Sequence, residues 1–353
     1  MSAGGGAAPA RRVRLFGLSV ETAFPFRTLL APGRPGPVDL EISVAADRPA
    51  AGGAAATTVY ESPERLEDGQ PALVVERAAG WDRLRFSRVA DVLCAGSAIR
   101  VERHPAASDD LVEIQLLGTV LAFWFERAGE LVLHGSAVEL DGRAVAFIAG
   151  NGRGKSSLAA QLMTLGRPLV TDDLVVVDAA GPAPRIRPGY PQMRFWPDAA
   201  IRFVHDPEAL DHVHPDFDKR RLPVGPDGFG TFCDRTLPLA AVYLPRRLRG
   251  AGAAEAMAMP VAPAGAVLEL VARSFMPRLV EAAGWQGDRL GRLARVVETV
   301  PVRWLDYPSG YDRLERVARA VLADLATLPR TGPRARGRSP RAPGTPSRRR
   351  SES

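Results

Sequence analysis

Eight consecutive residues, Gly150-Asn151-Gly152-Arg153-Gly154-Lys155-Ser156-Ser157, constrain this 353-residue chain more than any others. They follow the apolar run AVAFIAG and precede SLAAQLMTLG, a helical segment closed by Gly166. A strand, a loop with almost no side chains and then a helix form a phosphate cradle. Backbone N–H groups close around the anion, and the positive end of the helix points at it. On this pattern Lys155 reaches the β- and γ-phosphates and Ser156 holds Mg²⁺, so a nucleoside triphosphate with Mg²⁺ is the expected ligand, taken as ATP with the base left open. The usual spacing places a glycine at 149, where this chain has Ala149. Alanine is tolerated there unless the turn needs a positive φ.

Lysine usage supports the same reading. Of 46 basic residues only Lys155 and Lys219 are lysines, which leaves 46 − 2 = 44 arginines. Where a generic cation suffices, such a chain uses arginine. Lysine in the loop points to a need for a compact ammonium.

Around the loop stand other polar groups. LVLHGSAVEL is a strand candidate, Asp141-Gly142 is a hairpin turn signal and AVAFIAG returns, so these strands are expected to be antiparallel partners. After the helix, RPLVTDD and LVVVD read as two short strands around Asp172 and Asp173. His134 precedes Lys155 by 155 − 134 = 21 residues, and Asp173 follows it by 173 − 155 = 18.

The stretch from His134 to Asp173 resembles the catalytic domain of the HPr kinase/phosphorylase family, bacterial serine kinases of a sugar-transport phosphocarrier. The resemblance is strong over about 45 residues and extends weakly to about 328. It implies an α/β P-loop kinase domain of the HPr kinase/PEP carboxykinase-like type. It further implies Asp173 as general base, Asp172 in the metal shell with Ser156, and His134 beside the γ-phosphate. VRLFGLSV, GYPQMRFWPD and LPLAAVYLPRR are similar to HPr-kinase-related proteins of peptide-maturation clusters, some of them like lasso-peptide kinases. The function implied is transfer of the γ-phosphoryl group to a serine of a peptide or small protein. A non-catalytic nucleotide-binding regulator and a small-metabolite kinase are the alternatives. The receiver-like N-terminal domain of the family is not recognisable, and without the family's C-terminal signature phosphorolysis is not expected to follow. Its second metal-ligand carboxylate has no secure match; Asp198 and Glu208 are candidates.

The remaining sequence sets the frame. Residues 1–128 read as a β-rich domain, with strand signals at Val13–Val20, Val38–Val44 and Ala98–Glu102 and an Ala/Gly-rich loop at 48–57. Leu116–Arg127 is apolar enough for a buried helix, although its period alone leaves a strand open. Residues 129–329 form the expected catalytic domain. Within it 185–235 is Pro-rich and irregular, LPLAAVYLP is a buried strand, and 265–299 and 309–328 are helices flanking the strand VPVRWL.

Arg194 is open between a phosphate or peptide partner and a surface arginine. Lys219-Arg220-Arg221 reads as a solvated basic loop, with contact to phosphate or an acidic substrate as the other reading. His205, His212 and His214 lie among Asp206, Asp211 and Asp216 without metal-ligand spacing.

The net charge of +6 resides in the tail. Residues 330–353 carry eight arginines and one glutamate, a net of +7, so 6 − 7 leaves −1 for residues 1–329. A specific nucleic-acid partner is therefore not expected, and the Pro/Arg/Ser tail is expected to be disordered. No apolar run approaches a membrane span, and no signal peptide is legible. With only Cys94 and Cys233, the cytoplasm is the expected compartment. An oligomer is compatible with all of this.

Overall fold

The structure is a computed structural model that describes residues 9–45, 56–215, 217–248 and 255–329. The expected tail at 330–353 and most of the Ala/Gly-rich loop (48–55) lie outside the described residues, as does Asp216.

The first 103 residues supply nine strands: β1 (Arg11–Leu15), β2 (Leu18–Thr22), β3 (Ala31–Pro32), β4 (Leu40–Val44), β5 (Thr57–Glu61), β6 (Leu73–Ala78), β7 (Trp81–Phe86), β8 (Ala90–Ala95) and β9 (Ala98–Arg103). They form one sheet in the order β3-β1-β2-β4-β9-β8-β7-β6-β5. β7 and β8 bury every second residue, the pattern of a sheet with one face on a core. The Val13–Val20 signal is a hairpin rather than one strand, because Phe16 and Gly17 turn the chain at φ 52° and 73°.

α1 (Asp109–Gln115) starts at Ser108, whose side chain accepts from the Leu111 N–H. A π-helical turn (Leu116–Val120) joins it to α2 (Leu121–Arg127), so the apolar stretch is helical. Phe123 and Phe125 are completely buried, and burying such a ring stabilises by roughly 1.5–3 kcal/mol. The apolar cluster they belong to runs from the nine-stranded sheet to Val132, Leu174, Val176 and Leu279. The expected boundary near 128 thus lies between α2 and the next strand, with one core spanning it.

The second region contains β10 (Leu131–Leu140), β11 (Arg143–Ile148), α3 (Lys155–Thr164), β12 (Leu169–Asp178), β13 (Arg185–Ile186), β14 (Gln192–Phe195) and α4 (Pro197–Ala200). These are followed by β15 (His212–His214), β16 (Phe217–Pro223), β17 (Leu237–Leu248), β18 (Met257–Pro260), α5 (Pro263–Ala272), α6 (Pro277–Ala282), α7 (Gln286–Thr299), β19 (Val302–Pro308) and α8 (Leu314–Thr327). A seven-stranded sheet runs β11-β10-β12-β13-β17-β19-β18, and β11 also pairs in parallel with β17. α3 and α8 pack on one face and α5 and α7 on the other. The molecule is a mixed α/β fold with large sheets. Among the described residues no helix is long and apolar enough to cross a membrane.

β10 and β11 are antiparallel hairpin partners through Asp141-Gly142. Three expectations are corrected. The two short strands around the acid pair are one ten-residue strand, β12. The helix expected over 265–299 is three helices: Pro277 disfavours helical backbone at Met276, and Gly284 breaks the chain again at φ 77°. The Pro-rich segment 185–235 holds a three-stranded sheet, β14-β16-β15: β15 and β16 are close in sequence, whereas β14 pairs with residues 220–223, beyond the reach of local patterning.

Candidate functional site

β11 ends at Ile148 and α3 begins at Lys155, so the glycine-rich loop joins the two. The left-handed positions are Gly152 (φ 68°) and Gly154 (φ 85°); Ala149 is not one of them, so its methyl group is no obstacle. A Cβ on Gly154 would stand 2.7 Å from the Tyr307 hydroxyl. That hydroxyl donates to the Arg153 carbonyl at 3.1 Å, and an Arg247 Nη donates to the Gly152 carbonyl at 3.4 Å. The loop is therefore braced from β19 and β17. Neither brace was legible in the sequence.

Lys155 folds back on the loop, donating from Nζ to the Gly150 carbonyl at 2.9 Å. Burial lowers its pKa, and the charges of Asp172 and Asp173 work the other way.

β10 and β12 pair with Gly135 opposite Asp173 and Ser136 opposite Asp172. The three strands lie so close at Gly135 that a Cβ would meet Ile148 at 2.4 Å and the Phe147 carbonyl at 2.7 Å, so this position requires glycine. Asp172 is buried and accepts from both Ser136 Oγ and Ser156 Oγ, the latter at 2.8 Å. The Arg194 backbone N–H reaches its second oxygen at 3.3 Å. Burial raises the Asp172 pKa, and the Ser136 hydroxyl opposes the rise.

Asp173 stands in the left-handed region at φ 73°, in the middle of a strand. Such strain persists where the surroundings impose it, and it concentrates at functional sites. Its carboxylate lies 3.3 Å from His134 Nδ1, which also contacts the Asp173 carbonyl at 3.0 Å. Burial, and next the Lys155 charge, lower the His134 pKa and favour the neutral ring. Arg194 Nη1 lies 3.7 Å from Asp173 Oδ2.

These groups line one cleft of about 320 Å³. His134, Asn151, Gly152, Gly154, Lys155, Ser156, Ser157, Asp172 and Asp173 all border it, whereas Gly150 and Arg153 contribute only carbonyls to the loop's own bracing. The rest of the lining includes Arg194, Trp196, Asp198, Lys219, Arg247 and Tyr311. Of these, Trp196, Arg247 and Tyr311 carried no sequence signal beyond belonging to the quoted phrases or following Gly310.

Other candidates lie elsewhere. Glu208 pairs with Arg220 at 2.6 Å, and Arg221 is buried against Glu113 and Asp110, so these two arginines are not a solvated loop. His212 contacts the Phe217 carbonyl, His214 packs on the Phe217 ring and His205 is exposed. Among the described residues no three His, Cys, Asp or Glu side chains converge as a metal site. A roomier cavity of about 600 Å³ lies at the first sheet, where Arg88 pairs with Asp68 and Arg85 with Glu76.

No family model matches the sequence, and no curated protein matches it. Among solved structures, the Hpr(Ser) kinase/phosphatase from Coxiella burnetii is similar over 55% of this chain and 95% of its own, at 11% identity and a TM-score of 0.28. At that score the likeness carries no weight for fold or function.

Proposed function

We propose that this cleft binds ATP with Mg²⁺ and transfers the γ-phosphoryl group to a serine hydroxyl of a peptide or small protein. The observation that carries the reading is the division of labour between adjacent carboxylates at the phosphate loop. Asp172 is buried and bonded to Ser156. Asp173 is turned by its left-handed backbone toward His134 and the open cleft.

The residues present fit the ligand. A hydroxyl and a carboxylate oxygen 2.8 Å apart at the start of α3 are a hard-oxygen pair of the kind Mg²⁺ takes. Ser156 and Asp172 would hold the ion, which when bound neutralises charge on the phosphates. Lys155 and the loop N–H groups bind and orient the triphosphate. Asp173 accepts the proton of the attacking serine hydroxyl. Neutral His134 fixes the Asp173 carboxylate through Nδ1. Asp198, which also lines the cleft, stays the candidate for a second metal contact, and Glu208, paired with Arg220, does not.

Asp173→Asn tests the reading, since asparagine tolerates the left-handed backbone and cannot act as base. ATP·Mg²⁺ should raise the thermal midpoint of both proteins by mass action. Phosphate transfer to serine peptides, followed by mass spectrometry, should fall by roughly 10²–10⁴ in the variant. Undiminished transfer would remove Asp173 as base. Binding by the wild type with no transfer to any peptide would leave the regulator or metabolite-kinase reading in its place.

A further inference from the structure

The only two lysines of the chain, Lys155 and Lys219, come from α3 and β16, and both line the same cleft. The neighbours of Lys219 on β16 behave differently: Arg220 and Arg221 are committed to Glu208, Glu113 and Asp110. Lys219 has no ion pair with a described residue, and its ammonium rests 5.5 Å above the ring of Trp196. Trp196 itself is half exposed at the cleft rim, unusual for so large an apolar group. Lys155 and Lys219 thus border one common space; burial, and to a lesser degree the Lys219 charge, lower the Lys155 pKa, while Asp172 and Asp173 act against the fall. Asp172, Asp173 and Asp198 share that space, and an anionic ligand entering it on the lysine side is attracted by both ammoniums.

An exposed cation–π contact is weaker than a charge-assisted hydrogen bond to phosphate, so the ammonium can exchange one for the other. A guanidinium would stack flat on the indole and present a rigid fork. An ammonium is a compact charge on a flexible stem, suited to moving between two partners.

We propose that Lys219 is a second phosphate-binding residue, which leaves the face of Trp196 to close on the terminal phosphate oxygens of the bound nucleoside triphosphate. This rests on the nucleotide reading above and extends it to a device that distinguishes triphosphate from diphosphate.

The test is calorimetric titration of the full chain with ATP, ADP and O-phosphoserine, each with Mg²⁺. Lys219→Met keeps the stem on Trp196 and removes the charge; Lys219→Gln serves if that variant does not fold. The expected result is about tenfold weaker ATP binding with ADP affinity changed less than about twofold. In the wild type, a Trp196→Phe-sensitive fluorescence change should accompany ATP and not ADP. Equal loss for ATP and ADP overturns the assignment to the terminal phosphate. Weaker O-phosphoserine binding with ATP unchanged moves Lys219 to the acceptor side and also overturns it. Wild type and variant binding ATP alike overturns this proposal alone, whereas wild type that binds no ATP defeats the nucleotide reading itself.

Discussion

Arg194 on β14 and Arg221 on β16 are directly opposed across two strands, yet their surroundings differ. Every nitrogen of Arg221 is engaged: Nη1 with Glu113 and Thr28, Nη2 with Asp110 and the Val213 carbonyl, Nε with the His212 carbonyl. Glu113 in turn accepts from the backbone of Arg27 and Thr28, so this network locks α1 to the small sheet. Arg194 is nearly as buried, with 11% of its side chain exposed against 5%, but its Nε and Nη2 have no partner and Nη1 stands 3.7 Å from Asp173. Buried guanidinium nitrogens without partners are costly. Under the function proposed above, the unpartnered nitrogens beside the cleft are where an anionic ligand would bind, whereas the saturated network is a structural tie.

That contrast can be broken. The largest effect expected is on stability: Arg221→Met leaves Glu113 and Asp110 without their buried cation, which should cost about 3–5 kcal/mol in urea unfolding. A loss no greater than that of Arg194→Met would erase the distinction. Arg194→Met should change unfolding free energy by less than about 1 kcal/mol. Its effect should fall on serine-peptide phosphorylation, reduced about 10²–10³-fold as when a positioned charge stabiliser is removed. Unchanged transfer would return Arg194 to the structural class.

The smallest effect concerns His134, whose folded pKa is held below the ordinary 6.5 by burial and by Lys155. The native state then binds fewer protons than the unfolded chain. The stability linked to the neutral ring is full above the unfolded value and lost as pH falls through the folded one. Thermal scans from pH 7.5 to about 5 should show the wild type losing midpoint faster than His134→Gln. Parallel curves would mean that the ring is not held neutral by the cleft.

The glycine-rich loop between β11 and α3 was legible because its requirements are local: small residues, a following helix and one lysine. The pairing of β10 with β11 was legible for the same reason, through Asp141-Gly142. The left-handed turn at Asp173 was not, since the acid pair reads naturally as a break between two strands and is instead a kink within one. The rest of the lining was legible only as candidates, Arg194, Asp198 and Lys219, and their convergence was not. Trp196, Lys219, Arg247 and Tyr311 come from four separate segments, and only the pairing of β14 with β16 and the docking of β17 bring them to the loop. The same holds for Arg221, which looks like part of a basic surface run until Glu113, 221 − 113 = 108 residues earlier, is seen beside it.

The parallel pairing of β11 with β17 bears on the order in which the protein assembles. The β10–β11 hairpin needs only a two-residue turn and can form within about 1–10 μs. Its second edge is completed by Leu239, opposite Ala144, a closure spanning 239 − 144 = 95 residues. Contacts of such long range form late, because chain entropy is lost before they reward it. Arg247, which braces the Gly152 carbonyl, arrives on that same strand. The glycine-rich loop is thus rooted early on one side and braced only when β17 and then β19 dock. A nascent chain holds the loop sequence long before it holds a rigid cradle, and β17 must have emerged and docked before the loop acquires its native shape.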